Sequence, residues 1–261
     1  MMKKIIFTDL DGTFLDSDTY SYENANNALN LIKKLKIPLI FCTSKTRAEI
    51  EFWREKVDNK DPFISENGGG IFIPKDYFSF LFKFDKDYKN YFVIKIGENY
   101  NHLRDFISFL KEKYDLQSFS DMTVREIAKD ANLEIAQAKL AKKREFDLPF
   151  KILNKNQEKD ILNDINKQGL NYTIGGRYYH LLGDNNKGKA VKILSDLFKR
   201  KYGDIITIAI GDSENDFQML DSVNKGFLVK KKNGSYASNK YNKAKGVGPE
   251  GWNYIVQKQV L

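Results

Sequence analysis

Two rhythms of apolar and polar positions run along this chain. Residues 3–8 are a short β-branched and aromatic run stopped by the carboxylates Asp9 and Asp11, the pattern of a buried strand. Over residues 23–35, Ala25, Ala28, Leu29, Ile32 and Leu35 recur at helical spacing and predict an amphipathic helix. A second continuous apolar run at 38–43 predicts another strand, and 46–57 another helix. This alternation implies parallel strands joined by crossover helices. Residues 65–74, with three consecutive glycines, read as a hairpin or strand junction.

From about residue 85 to 183 the order changes. The pattern predicts a strand at 91–97, a helix at 100–114 and a polar helical stretch at 123–142. A strand at 144–153, a helix at 156–167 and a strand at 170–182 follow. A helix at 187–201 and a buried strand at 204–210 then resume the first rhythm. The expected fold is therefore α/β, with a Rossmann-like parallel-sheet core formed by residues 1–84 and 184–261. A large α/β domain, residues 85–183, is expected to be inserted through short ordered hinges.

Composition narrows the class. No apolar run approaches the roughly 20 residues of a membrane span. Lys3, Lys4 and the apolar run behind them imitate a signal peptide, but Asp9 and Asp11 interrupt it, so a cytoplasmic protein without a membrane partner is expected. One cysteine, Cys42, rules out an internal disulfide framework. The net charge of +8 suggests an anionic partner, yet the lysines are scattered and the densest group, 230–232, adjoins a turn-like Asn-Gly-Ser. A small phosphorylated substrate fits this balance better than nucleic acid.

The chemistry-bearing residues cluster at predicted strand ends: Asp9-Leu10-Asp11, Thr43-Ser44-Lys45 and Gly211-Asp212. Ligands of open α/β sheets bind in the crevice beyond those ends. Carboxylates crowded there repel one another unless a cation neutralises them. Asp9, Asp11 and Asp212 offer only oxygen, with no His or Cys nearby in sequence, which selects a hard ion such as Mg²⁺. Lys187-Gly188-Lys189-Ala190 lacks the glycine spacing of a nucleotide-phosphate loop, which disfavours a kinase or ATPase.

Asp9-Leu10-Asp11-Gly12-Thr13, Thr43, Lys187 and the stretch from Gly211 to Asp216 resemble the four ordered motifs of the haloacid-dehalogenase superfamily of phosphotransferases. The resemblance implies that Asp9 is the nucleophile, that Asp11 protonates the leaving alkoxide and then activates water, and that Gly12 lets the chain turn beneath the phosphate. Thr43 would bind a phosphoryl oxygen, Lys187 would neutralise developing charge and Asp212 would complete the Mg²⁺ shell. Asp216 would orient a metal-bound water or Lys187 rather than bind the ion.

The place of the insertion resembles the branch with a large α/β cap. Residues 42–47, 66–70, 144–149, 175–181 and 246–252 resemble the mannosyl-3-phosphoglycerate phosphatase family, including the Thr43-Ser44-Lys45-Thr46 variant of the second motif. That implies hydrolysis of 2-(α-mannosyl)-3-phosphoglycerate to mannosylglycerate, a compatible solute. The glucosyl epimer and a general sugar-phosphate specificity remain open. Substrate contacts are expected from Ser44, from Arg144 and Arg177 as guanidinium forks for a carboxylate, and from Asn67, Gly175 and Gly176 toward hydroxyls. His180 and Trp252 read as packing residues. A metal-dependent glycosyltransferase would use Asp9 and Asp11 but leave Lys187 and the 212–216 motif without a role.

Overall fold

The computed structural model describes residues 2–260. The chain runs β1 (Lys3–Thr8), α1 (Asn26–Lys34), β2 (Leu39–Phe41), α2 (Arg47–Lys56), β3 (Phe63–Ser65), β4 (Gly70–Pro74), β5 (Lys86–Tyr88) and β6 (Tyr91–Lys95). It continues with α3 (Tyr100–Lys111), β7 (Leu116–Ser118), α4 (Val124–Ala131), α5 (Ile135–Ala141), β8 (Asp147–Ile152), α6 (Glu158–Lys167), β9 (Asn171–Gly175) and β10 (Tyr178–Leu182). The last elements are α7 (Lys187–Tyr202), β11 (Ile205–Gly211), α8 (Phe217–Leu220), β12 (Lys225–Lys230), β13 (Asn242–Val247) and α9 (Gly248–Val260).

A parallel sheet of order β13-β12-β11-β1-β2 forms the base. Both faces of β1, β2 and β11 are covered, which explains why these strands read as continuous apolar runs, whereas in β13, at the edge, only Ala244 is buried. Along β1, Ile6 packs with Leu29, Ile32 and Trp252 on one side, while Ile5 and Phe7 pack with Val191, Leu194 and Phe198 of α7 on the other. Trp252 is fully buried and donates from Nε1 to Thr8 Oγ1 at 3.0 Å, fastening α9 to the end of β1. The chain leaves β1 toward β2 on one side and returns as β11 on the other, so β1 lies at a topological switch point.

Two antiparallel sheets stand above this base, β3-β4-β6-β5 and β7-β8-β10-β9. Side chains of β6 join the clusters of the base, Val93 on one face and Ile94 on the other. A separate hydrophobic cluster, formed within residues 103–181, packs α3, α4, α5 and α6 against the β7–β10 sheet.

Several elements differ from the sequence pattern for local reasons. The helical stretch 123–142 is two helices, because Asn132 adopts a left-handed conformation (φ 54°) that ends α4. The expected strand 170–182 is a hairpin whose two-residue turn, Gly176-Arg177, opens with a positive φ at Gly176, as such turns require. β5 and β7 have three residues each, too short to carry a period.

Candidate active site

Parallel strands place their carboxyl ends along one edge, and β1, β2 and β11 deliver Asp9, Thr43-Ser44 and Asp212 there. At the centre, Lys187 opens α7 and is fully buried. Its Nζ donates to Asp9 Oδ1 at 2.7 Å and to Asp216 Oδ1 at 2.6 Å. Burial works against the ammonium, but Asp216 and Asp9 outweigh it and hold the Lys187 pKa above the ordinary lysine value. The other oxygen of Asp216 accepts the backbone N–H groups of Asp212 (3.0 Å) and Ser213 (3.2 Å). Both Asp216 oxygens are therefore engaged within the protein.

Asp9 lines the cavity, and its Oδ2 makes no hydrogen bond among the described residues. Burial, opposed by Lys187 and reinforced by Asp216, Asp212 and Asp11, pushes its carboxyl up to about 8. Burial and the neighbouring Asp216 raise Asp212 to about 7. Asp9, Asp212 and Asp216 each offer an oxygen, and these lie within 4.8 Å of one another. Three formal negative charges against one lysine leave two uncompensated, and an oxygen-only set of this kind suits a hard divalent cation. The residues present thus fit a divalent ion.

Asp11 sits apart from that group. Its Oδ2 pairs with Lys45 Nζ at 2.9 Å, and Lys45 is also 3.5 Å from Glu49. Asp11 Oδ1 is buried without a hydrogen-bond partner. Gly12 turns the chain with φ 73°, and a Cβ there would lie 3.1 Å from Asp212 Oδ2. The turn therefore needs both the conformation and the absence of a side chain.

A cavity of about 810 Å³ opens over these residues. Ser44, Arg144, Gly175, Gly176 and Arg177 line it together with Asp9, Asp11 and Asp212. Thr43, Asn67, Lys187 and Asp216 stand behind its wall. The Thr43 hydroxyl accepts from the Lys45 N–H at 3.3 Å. Asn67, left-handed at φ 54°, donates from Nδ2 to Asp147 Oδ2 at 3.0 Å and accepts from Asn215 Nδ2 at 3.3 Å. Arg144 Nη1 donates to Ser44 O (2.8 Å) and Asp147 Oδ1 (2.7 Å), while Arg177 Nη1 donates to Asp130 O (3.0 Å).

Residues that the sequence pattern did not single out also build the site. Lys231 and Lys232, expected in a solvated turn, line the cavity, where Lys231 adds positive charge near Asp212 and Lys232 pairs with Asp18. His180, expected to be packing, lines it too, with Nδ1 3.0 Å from Asp147 Oδ2. The buried Glu66 carboxylate accepts the N–H groups of Glu145, Phe146 and Asp147 at 2.8–3.1 Å. Burial and the adjacent Asp147 push Glu66 up to about 8. A Glu beside a glycine run is the one signal that pointed there.

Known proteins resemble this chain in sequence and in fold. A family model described as haloacid dehalogenase-like hydrolase matches residues 6–243. A protein of Methanococcoides burtonii named glucosyl-3-phosphoglycerate/mannosyl-3-phosphoglycerate phosphatase is 47% identical, covering 98% of this chain and 96% of its own. A mannosyl-3-phosphoglycerate phosphatase of Pyrococcus horikoshii is 37% identical, covering 87% and 91%. Among solved structures, a haloacid dehalogenase-like hydrolase from B. subtilis superposes with a TM-score of 0.67 at 18% identity over 98% of this chain and 99% of that one. The sucrose-phosphatase from Synechocystis, solved with sucrose and phosphate, gives 0.63 at 12% identity over 100% and 98%. Motifs, topology and relatives agree, and this chain belongs to the haloacid dehalogenase-like hydrolase family.

Proposed function

We propose that the chain is a Mg²⁺-dependent phosphatase that hydrolyses the phosphate ester of 2-(α-mannosyl)-3-phosphoglycerate, releasing mannosylglycerate and phosphate. The observation that carries the chemistry is the Asp9 carboxylate, held at Oδ1 by buried Lys187 while Oδ2 remains unengaged at the cavity wall. The names of the curated relatives carry the substrate. The glucosyl ester is a second reading, because the relative from M. burtonii is named for both epimers.

In this reading Asp9 Oδ2 attacks phosphorus in line, forming a P–O bond as the bond to the glycerate oxygen breaks. Asp11 gives its proton to that oxygen, and its unpartnered Oδ1 is the atom suited to carry it. The Asp11 carboxylate, steadied by Lys45 at Oδ2, then takes a proton from the water that attacks the aspartyl-phosphate and restores Asp9. Lys187 offsets charge on Asp9 throughout, and Asp216 keeps Lys187 in place. Asp9 and Asp212 would hold Mg²⁺, which when bound would neutralise phosphoryl charge, while the Asp11 side chain, expected from the sequence as a further ligand, is paired with Lys45 instead. Ser44, at the cavity wall, would meet a phosphoryl oxygen, with buried Thr43 bracing that turn by accepting the Lys45 N–H.

Residues 1–84 and 184–261 carry the chemistry in this reading; of the inserted segment 85–183, the part with its own hydrophobic core, residues 103–181, covers the substrate, while β5 and β6 extend the sheet of β4 and pack on the base. From that cap Arg144 and Arg177 meet the substrate carboxylate, and Gly175 and Gly176 its hydroxyls. Asn67, behind the wall, supports this surface through Asp147. Among the described residues no helix is long and apolar enough to cross a membrane. A cytoplasmic enzyme with a small sugar-acid substrate and no nucleic-acid partner fits the lysine-lined cavity and the buried cysteine.

A panel of phosphate esters tests the substrate: kcat/KM for the mannosyl and glucosyl phosphoglycerates should exceed that for simple sugar phosphates by at least about a hundredfold. Equal turnover of all would point instead to a general sugar-phosphate phosphatase. Asp9→Asn nearly preserves shape but removes the anionic nucleophile, so kcat should fall by about three orders of magnitude or more with unchanged circular dichroism. Turnover within tenfold of wild type would exclude Asp9 from that role. Metal binding has a readout apart from turnover: adding MgCl₂ to chelator-treated protein should raise the thermal midpoint by several degrees, and Asp212→Asn should remove most of the rise. An identical shift in the variant would move the metal elsewhere.

A further inference from the structure

We infer that Asp147 is a positioning residue for this site, a single buried carboxylate that fixes Arg144 and His180 over the cavity and joins the cap to the acidic loop. The inference rests on the phosphatase reading of the cavity. Asp147 begins β8, is fully buried and touches no cavity volume itself. Its Oδ1 accepts from Arg144 Nη1 at 2.7 Å, and its Oδ2 meets Asn67 Nδ2 and His180 Nδ1, each at 3.0 Å. These three partners come from the loop before β8, the corner between β3 and β4, and β10.

Two of the partners, Arg144 and His180, line the cavity. A carboxylate at Oδ2 makes His180 Nδ1 the donor, so Nε2 is the ring atom left to face outward. A Cβ on Gly175 would lie 3.4 Å from that Nε2, which places it under the β9–β10 turn at the cavity rim. The third partner leads into the core. Asn67 Oδ1 accepts from Asn215 Nδ2 at 3.3 Å, and Ser213 Oγ lies 2.8 Å from Asn215 Oδ1 and 3.2 Å from Asp212 Oδ1. Hydrogen bonds thus run from Asp147 through Asn67 to Asn215 in the acidic loop, where the single Ser213 hydroxyl proton serves either Asn215 Oδ1 or Asp212 Oδ1. Replacing this carboxylate by an amide must turn a donor toward at least one of three donors.

A kinetic double-mutant cycle between Asp147→Asn and His180→Asn tests this, read with whichever phosphate ester of the panel the wild-type enzyme hydrolyses best. His180→Asn keeps a donor near the Nδ1 position but lacks Nε2. Each single variant should raise KM about tenfold with kcat within about threefold. The double variant should exceed the worse single by less than about threefold, because both changes act on one arrangement. Independent multiplication of the two effects, or a lowered thermal midpoint with unchanged KM, would overturn the inference. Should Asp147→Asn not fold, His180→Gln decides: it reaches the Nε2 position without being fixed by Asp147, so a wild-type KM there contradicts the proposal. Failure of the phosphoglycerate reading shows in the wild-type panel, and failure of this inference shows in the cycle.

Discussion

A completely buried lysine ammonium must be paired, since an uncompensated charge in that position would cost several kcal/mol. Lys187 meets this demand with Asp9 from the end of β1 and Asp216 from the loop after β11. Close approach of those elements requires glycines. A Cβ on Gly211 would sit 2.5 Å from the Asp216 side chain, and one on Gly188 would sit 2.3 Å from Gln218 O. The same pairing gives Asp9 its chemistry. One of its oxygens is tied to an ammonium and the other is left unengaged, so the carboxylate is oriented before a substrate arrives.

Charge then spreads outward in two balanced layers. Asp9, Asp212 and Asp216 exceed Lys187 by two formal charges, the demand a divalent ion meets. Asp11 is balanced separately by Lys45, which is itself shared with Glu49. Two carboxylates two residues apart therefore have different electrostatic partners, the difference on which the proposed division between nucleophile and proton carrier rests. Beyond them, Glu66 receives three backbone N–H groups of the cap and Asp147 receives three side-chain donors. The roof of the cavity is thus fixed to its floor by buried polar groups.

Three strands of the base were legible because they are buried on both faces and joined by amphipathic helices, whereas β12 and the half-exposed β13 were not anticipated. Residues 3–8, 38–43 and 204–210 each read as a continuous apolar run. Legibility failed where tertiary contacts decide. No period distinguishes one strand from a hairpin at 170–182, where only the positive φ of Gly176 makes the turn. Asp9, Asp11, Thr43, Lys187 and Asp212 stood out because each follows or begins an element at the crevice edge. Glu66, Asp147 and His180 did not, since apart from Arg144, which lies just before Asp147, the partners that fix their side chains lie 33 to 81 residues away in the chain. The lysines at 231 and 232 read as solvated because the carboxylates they face are absent from their own neighbourhood in sequence.

The aspartyl-phosphate on Asp9 is tested most directly by the stereochemical course at phosphorus. A thiophosphate ester made chiral at phosphorus by sulfur and two oxygen isotopes would be hydrolysed in water carrying the third isotope, and the configuration of the released thiophosphate compared with that of the ester. Attack by Asp9 followed by attack of water gives two in-line displacements, each inverting phosphorus, so the expected result is net retention. Net inversion would mean that water attacks the ester directly, and Asp9 would then not be the nucleophile.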